Sequence, residues 1–193
     1  MDVFVLKDSV TGSMTDDEFF KFCQENKDLR IERNSNLEIV IKSPVSTLSG
    51  FHSTEIIRQL SSWSVIDGRG LAFDSSTGFT LPDRSVLSPD ASWMTREKWK
   101  NLSEDDKDKF APICPDFVIE VRSKTDRIED LLNKMKVWIN NGASEAWLID
   151  PREKISYLFA SQGVERKIEG FSRRLSGERL IYGFELDLSL LEM

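Results

Sequence analysis

The run Pro115-Asp-Phe-Val-Ile-Glu-Val-Arg122 sets a carboxylate in the middle of an apolar strand pattern. Phe117, Ile119 and Val121 point to one face of a sheet, and Asp116, Val118, Glu120 and Arg122 to the other. An ionised Glu120 among apolar neighbours costs several kcal/mol unless a cation, a metal or a catalytic duty compensates it. A second Pro-Asp pair, Pro89-Asp90, stands about 30 residues upstream at another strand start. Two carboxylates on neighbouring strands with a lysine nearby are the minimal kit for metal-dependent phosphodiester cleavage. Mg²⁺ needs only one or two carboxylates with several retained waters, and it acidifies an attacking water. Asp90 and Glu120 are the candidate ligands. Asp116, also after a proline, reads as a strand-start cap.

The lysine that would orient the water or offset phosphate charge is less easily chosen. Two residues after Glu120, on the same strand face, stands Arg122, which keeps its proton at ordinary pH and cannot act as a base. On the following helix Ile128, Leu131, Leu132, Met135, Trp138 and Ile139 form the apolar stripe. Lys134 and Lys136 each lie about 40° outside it on opposite flanks. Helical geometry alone leaves both open.

The elements that must position these groups follow from the patterns. Thr15-Asp-Asp-Glu18 fits a capping box, with Phe19, Phe20, Phe22 and Cys23 continuing a helix to about Asn26. Residues 29–33 and 37–42 read as a hairpin around Asn34-Ser35-Asn36. Pro44 to Gly50 reads as loop, and 52–65 as an amphipathic helix ending near Asp67-Gly68. Residues 71–73 and 79–81 are expected to form a second hairpin across Asp74–Gly78. Pro82–Ser88 reads as polar loop, 90–94 as a short strand, and 95–109 as a charged excursion with one short helix. Strand 116–122, helix 126–140 and strand 146–150 make a βαβ-like unit, and 155–159 pairs back across Pro151–Lys154. A polar hairpin around Gly163 and an apolar pattern at Leu180, Ile181, Phe184 and Leu186 complete the chain. Together these give an α/β (α+β) class: a mixed β-sheet flanked by helices, with added hairpins.

Composition narrows the function. The chain has 193 residues, 39% of them hydrophobic, enough for a substantial core in one domain over 1–193. Thirty-three acidic against 26 basic residues give a net charge of −7. That argues against tight non-specific wrapping of nucleic acid, although a local basic groove is compatible with it. No apolar run reaches a bilayer-spanning length and no signal-peptide pattern opens the chain, so a cytoplasmic protein without membrane partners is expected. Cys23 and Cys114 have no ligand spacing and read as free thiols. His52 is the one histidine, which removes His-rich metal sites; at a helix start it reads as a capping or surface residue. Trp93 and Trp99 flank the charged excursion, where base stacking or hydrophobic anchoring would each suit them.

Several runs together resemble a known family: Arg30-Ile-Glu-Arg33, Phe73-Asp-Ser-Ser-Thr-Gly-Phe79, Leu87-Ser-Pro-Asp-Ala-Ser-Trp93, Cys114-Pro-Asp-Phe-Val-Ile-Glu120, Lys134-Met135 and Asn141-Gly-Ala-Ser-Glu-Ala-Trp-Leu-Ile-Asp-Pro151. In order and spacing across roughly residues 15–160, they are similar to the Uma-two family of restriction endonucleases, assigned to the PD-(D/E)-x-K nuclease superfamily. The resemblance implies a restriction-endonuclease-like core and a Mg²⁺- or Mn²⁺-dependent endonuclease acting on DNA. It implies Asp90 and Glu120 as the carboxylates, and Lys134 as a lysine moved from the strand to the next helix. An acidic residue from the first hairpin often completes such sites; Glu38 ranks ahead of Glu32 because its alternation is clearer. A homodimer is expected. The second functional reading is a catalytically inactive nuclease fold kept for binding or regulation.

Overall fold

The computed structural model describes residues 3–6, 14–160 and 163–192. In chain order the first half runs β1 (Val3–Leu6), α1 (Asp16–Glu25), β2 (Arg30–Arg33), β3 (Ile39–Lys42), α2 (Thr47–Asp67), β4 (Gly70–Asp74), β5 (Phe79–Thr80), β6 (Val86–Leu87) and β7 (Ala91–Thr95). Two short helices follow, α3 (Arg96–Lys100) and α4 (Glu104–Lys107), then β8 (Phe117–Val121), α5 (Ile128–Asn140), β9 (Glu145–Asp150), β10 (Ile155–Ala160), β11 (Gly163–Glu169), β12 (Arg174–Ser176) and β13 (Glu185–Asp187). Short 3-10 turns cover Arg179–Ile181 and Leu188–Leu191.

The main sheet has six strands in the order β11-β10-β9-β8-β7-β4. β8 and β9 are parallel and joined through α5; every other pair is antiparallel. The mixed sheet and the βαβ unit are therefore as the sequence predicts. Alternation along β8 sends Phe117, Ile119 and Val121 toward α2, where they pack with Ile56, Leu60, Trp147 and Phe184. Val118 faces α5 and packs with Met135, Trp138 and Leu148. With one helix on each face, β8 is buried along its whole length.

A second sheet, β1-β3-β2-β6-β5, carries the first hairpin. One face of it meets α1 through Phe19, Ile39 and Val86, with Arg33 lying 4.8 Å over the Phe19 ring. The opposite face carries Arg30, Glu32, Val40 and Lys42, by the register Arg30↔Lys42 and Glu32↔Val40. The two sheets meet at Ser88-Pro89-Asp90, three residues that lead from β6 of one into β7 of the other.

Five expectations need correction. The 95–109 excursion carries two short helices, α3 and α4, where one was expected, because Thr95 and Ser103 each cap a turn by accepting from a backbone N–H three residues on. The segment 71–81 is not a hairpin: β4 pairs with β7 in the main sheet and β5 with β6 in the other. Asp74 accepts hydrogen bonds from Ser76 N and Oγ, a compact turn that redirects the chain between sheets. The 82–88 segment is not all loop, since Val86 and Leu87 form β6. α2 starts at Thr47, not 52, because Ser46 caps it by accepting from Ser49 N; the Ser and Gly residues that suggested a loop are its first turn. His52 is neither cap nor surface: it is buried in α2 with Nε2 3.1 Å from Leu191 O, and burial lowers its pKa. Elsewhere the agreement is close. Thr15 and Glu18 form both bonds of the capping box, and Gly68 closes α2 at φ 72°, a left-handed value that suits glycine.

Cys114 is buried with Sγ 3.6 Å from Trp138 O, and burial pushes its pKa up to about 12; burial likewise raises Cys23 to about 11. The reactive species is the thiolate, so both should resist disulfide reagents at pH 8 in the folded protein. In a stopped-flow assay with a chromogenic disulfide, Cys114 should react no faster than the protein unfolds, and denaturant should release both thiols at once. Rapid labelling of native Cys114 would contradict this packing.

Candidate active site

β8 delivers Glu120 from its α5 face, 4% exposed, into the floor of a cleft of about 400 Å³. β7 and β8 pair as Ala91↔Ile119 and Ser92↔Val118; one residue further along this register, Asp90 stands across from Glu120. Asp90 is held there by two donors, Val121 N to Oδ2 at 2.8 Å and Ser53 Oγ to Oδ1 at 3.4 Å. Ser53 reaches it from the first half of α2.

α5 supplies the cation. Lys134 Nζ is 2.7 Å from Glu120 Oε1, and from the same helix Trp138 Nε1 donates to that oxygen at 2.9 Å. Four residues apart, the two side chains share a helix face. Lys136, the other candidate, is exposed and lies 3.5 Å from Asn133 Oδ1, away from the cleft lining. Arg122 is engaged elsewhere: its Nη1 lies 2.6 Å from Asp150 Oδ2. Asp116 accepts from Thr95 N and pairs with Lys98 at 2.7 Å, a structural role in keeping with its position at the strand start.

The second sheet closes the cleft with Glu32, 7% exposed. Glu32 pairs with Lys42 at 2.5 Å, lies 3.4 Å from Lys134 Nζ and accepts from Ser88 N at 3.1 Å. This reverses the ranking drawn from strand alternation. Glu38 lies outside the cleft: Leu37 adopts φ 64°, the strand starts only at Ile39, and the Glu38 carboxylate accepts from Asn34 Nδ2 in the turn. Sequence reasoning also passed over Lys42, Ser53 and the Trp138 N–H. Of these only Lys42 left a signal, as a charge on the polar side of an alternating strand.

The charges are unevenly matched. Burial raises the pKa of Glu32, but Lys134 and Lys42 outweigh it and hold the carboxyl at about 2. For Glu120 and Asp90 burial wins, and both are raised despite the same lysines. Burial disfavours the charge on Lys134, yet Glu120 and Glu32 hold its pKa above the usual lysine value, so it stays an ammonium. Trp93 is wholly buried with its indole N–H on Ser64, and Trp99 packs on Phe73, so both serve the core and neither is free to stack on a base.

The Uma2 family model, described as "Putative restriction endonuclease", matches residues 16–189. The chain belongs to the Uma-two family. A solved structure described as a putative nuclease belonging to DUF820 from Anabaena variabilis superposes with a TM-score of 0.73 at 18% identity, covering 92% of this chain and 97% of that one. That likeness establishes a shared fold. No curated protein matches the chain. Among the described residues, no helix is long and apolar enough to cross a membrane, and no three His, Cys, Asp or Glu residues are grouped to hold a metal ion.

Mg²⁺ does not require such a trio, because water commonly fills most of its octahedron. The donor set fits it. Asp90 and Glu120 are hard oxygen donors on adjacent strands, both short of positive charge, and no hydrogen bond within the described residues engages Glu120 Oε2.

Two stability effects follow in this Uma-two chain without metal. A raised Asp90 pKa means that its charge opposes folding at neutral pH and that the penalty fades on acidification. Asp90→Asn should therefore raise the melting temperature in EDTA, since the amide oxygen can still accept from Val121 N. Lys134→Ala strands Glu120 and Glu32 without their shared cation and should cost on the order of 3 kcal/mol. Calorimetric melting of the three proteins at pH 7 checks both signs.

Proposed function

We propose that this Uma-two protein is a divalent-metal-dependent endonuclease that hydrolyses DNA phosphodiester bonds in the cleft between its two sheets. The observation that carries the reading is the facing pair Asp90 and Glu120, two carboxyls at the floor of the cleft with the Lys134 ammonium beside them. Asp90 and Glu120 would hold Mg²⁺ or Mn²⁺. When bound, the ion lowers the pKa of a water and polarises the phosphate.

The chain's own residues account for the rest. Ser53 and the Val121 amide fix the Asp90 carboxylate, and Trp138 fixes Glu120 by one oxygen. Preorganised ligands of this kind need no rearrangement as charge develops. Lys134 is an ammonium and donates only, so its role is to orient the attacking water through hydrogen bonding and to offset negative charge on the phosphate. Glu32 and Lys42 hold that ammonium in register. Arg122 is spent on Asp150, which leaves the strand position without a base and the helix lysine in its place. A cytoplasmic homodimer completes the proposal.

With Mn²⁺ or Mg²⁺ the purified protein should nick plasmid DNA, while Asp90→Ala and Glu120→Ala should lower the rate by at least about 10³-fold at unchanged far-UV dichroism, the loss expected of missing transition-state electrostatics. Calorimetric titration should show Mn²⁺ binding in wild type and none in Asp90→Ala. A folded wild-type protein that binds no Mn²⁺ at millimolar concentration would refute the metal site and support a nuclease fold kept for binding or regulation. Equal cleavage by the alanine variants would trace the activity to a contaminant.

A further inference from the structure

A second cavity of about 370 Å³ opens beside the cleft, behind the Glu32–Lys42 pair. Arg30, Glu32, Lys42 and Ser88 line both spaces, so they are two lobes of one groove with a charged divide. The outer lobe differs in chemistry from the inner. Leu29, Ile31 and Phe110 give it an apolar side, and Lys27 and Gln24 stand on the α1 side. Its volume lies within the roughly 300–1,000 Å³ typical of small-ligand sites.

Arg30 sits at the junction. It is exposed, its one hydrogen bond runs to Ser75 O at 3.2 Å, and it makes no ion pair among the described residues. Of the other cations lining the groove, Lys42 and Lys134 are tied to carboxylates, while Arg127 lines the inner lobe only and Lys27 the outer one only. Arg30 is thus the cation at the junction that no carboxylate holds in an ion pair among the described residues. An unpaired guanidinium beside a cleft that would handle phosphodiesters has five donors in a planar fork that matches a phosphate.

We propose that the outer lobe is a subsite for the nucleotide next to the cleaved bond, and that Arg30 binds the phosphate linking the two lobes. This rests on the nuclease reading of the inner lobe and adds to it the path of the strand. A base would lie against Leu29, Ile31 and Phe110, with the backbone crossing above the Glu32–Lys42 divide. Arg30 is then a binding residue for a flanking phosphate, distinct from the groups proposed to act on the scissile one.

The test uses a fluorescently labelled single-stranded oligodeoxynucleotide of twelve residues, titrated in EDTA so that no cleavage occurs. Arg30→Ala should weaken binding about tenfold and reduce the slope of log K against log salt by roughly 0.7, the value for one lost phosphate contact on a single strand. Arg30→Lys should recover part of the affinity, and Arg174→Ala, an equal charge loss on β12, should change neither quantity. If wild type also cleaves, Arg30→Ala should raise KM with kcat within about twofold. Wild-type affinity and slope in Arg30→Ala, or an equal loss in Arg174→Ala, would overturn the subsite. Failure of wild type to cleave with the Arg30 effect intact would instead count against the nuclease reading alone.

Discussion

Everything at the centre of this molecule depends on housing a glutamate carboxyl inside a sheet. Glu120 points from β8 into the layer beneath α5, where an unpaired carboxylate would cost several kcal/mol. α5 answers with two groups one turn apart, the Lys134 ammonium and the Trp138 indole N–H, both on the same carboxylate oxygen. That pair ties the helix to the sheet at one carboxylate oxygen, beside the packing of its apolar stripe. The parallel step from β8 to β9 needs a crossover element in any case. Here the crossover that closes the sheet is also the one that carries the cation.

Two ammoniums among three carboxylates cannot satisfy all three equally. Lys42 and Lys134 both touch Glu32, whose pKa falls to about 2, while Asp90 and Glu120 are left above their ordinary values. Glu32 thus acts as the bracket for the lysines, and the shortage of positive charge is localised at the other two. A protein selected for stability alone would remove such a shortage, since replacing buried charges by packed apolar groups is often neutral or favourable. Strain of this kind concentrated in a cleft is what functional sites commonly look like.

Glu120 was legible as chemistry because one charged residue interrupts an apolar period, and Asp90 because a Pro-Asp pair recurs at a strand start. Lys134 could not be separated from Lys136 on helical geometry; the choice came from the family's pattern, and it depends in space on which flank of α5 faces the second sheet. That sheet is where local patterning failed. Its strands β5 and β6 are two residues each, too short to establish a period, and the Asp74 turn looks the same whether it joins paired strands or sends the chain to another sheet. Glu38 outranked Glu32 on alternation because the pattern extends one residue past the strand, into a turn whose left-handed Leu37 has no sequence signature. The early start of α2 was hidden by residues that favour caps and loops as readily as first turns.

If the cleft acts on nucleic acid as proposed, an acidic chain has to confine its attraction for a polyanion to a small area. With a net charge of −7, long-range forces repel nucleic acid, and at physiological salt that repulsion is screened beyond about 8 Å. Inside that distance the local arrangement decides. Asp17 and Asp105 gather around Lys109 at a separate cavity between α1 and α4, where Asp16 pairs with the buried Arg33 behind it, while Arg30 makes no ion pair at the groove among the described residues. The groove itself mixes both signs, with Glu32, Asp90, Glu120, Asp126 and Asp130 among its lining beside Arg30, Lys42, Arg127 and Lys134. On the nuclease reading, attraction for a phosphate backbone would rest on where the positive charges without an ion pair sit in that groove, and a basic surface would not be needed.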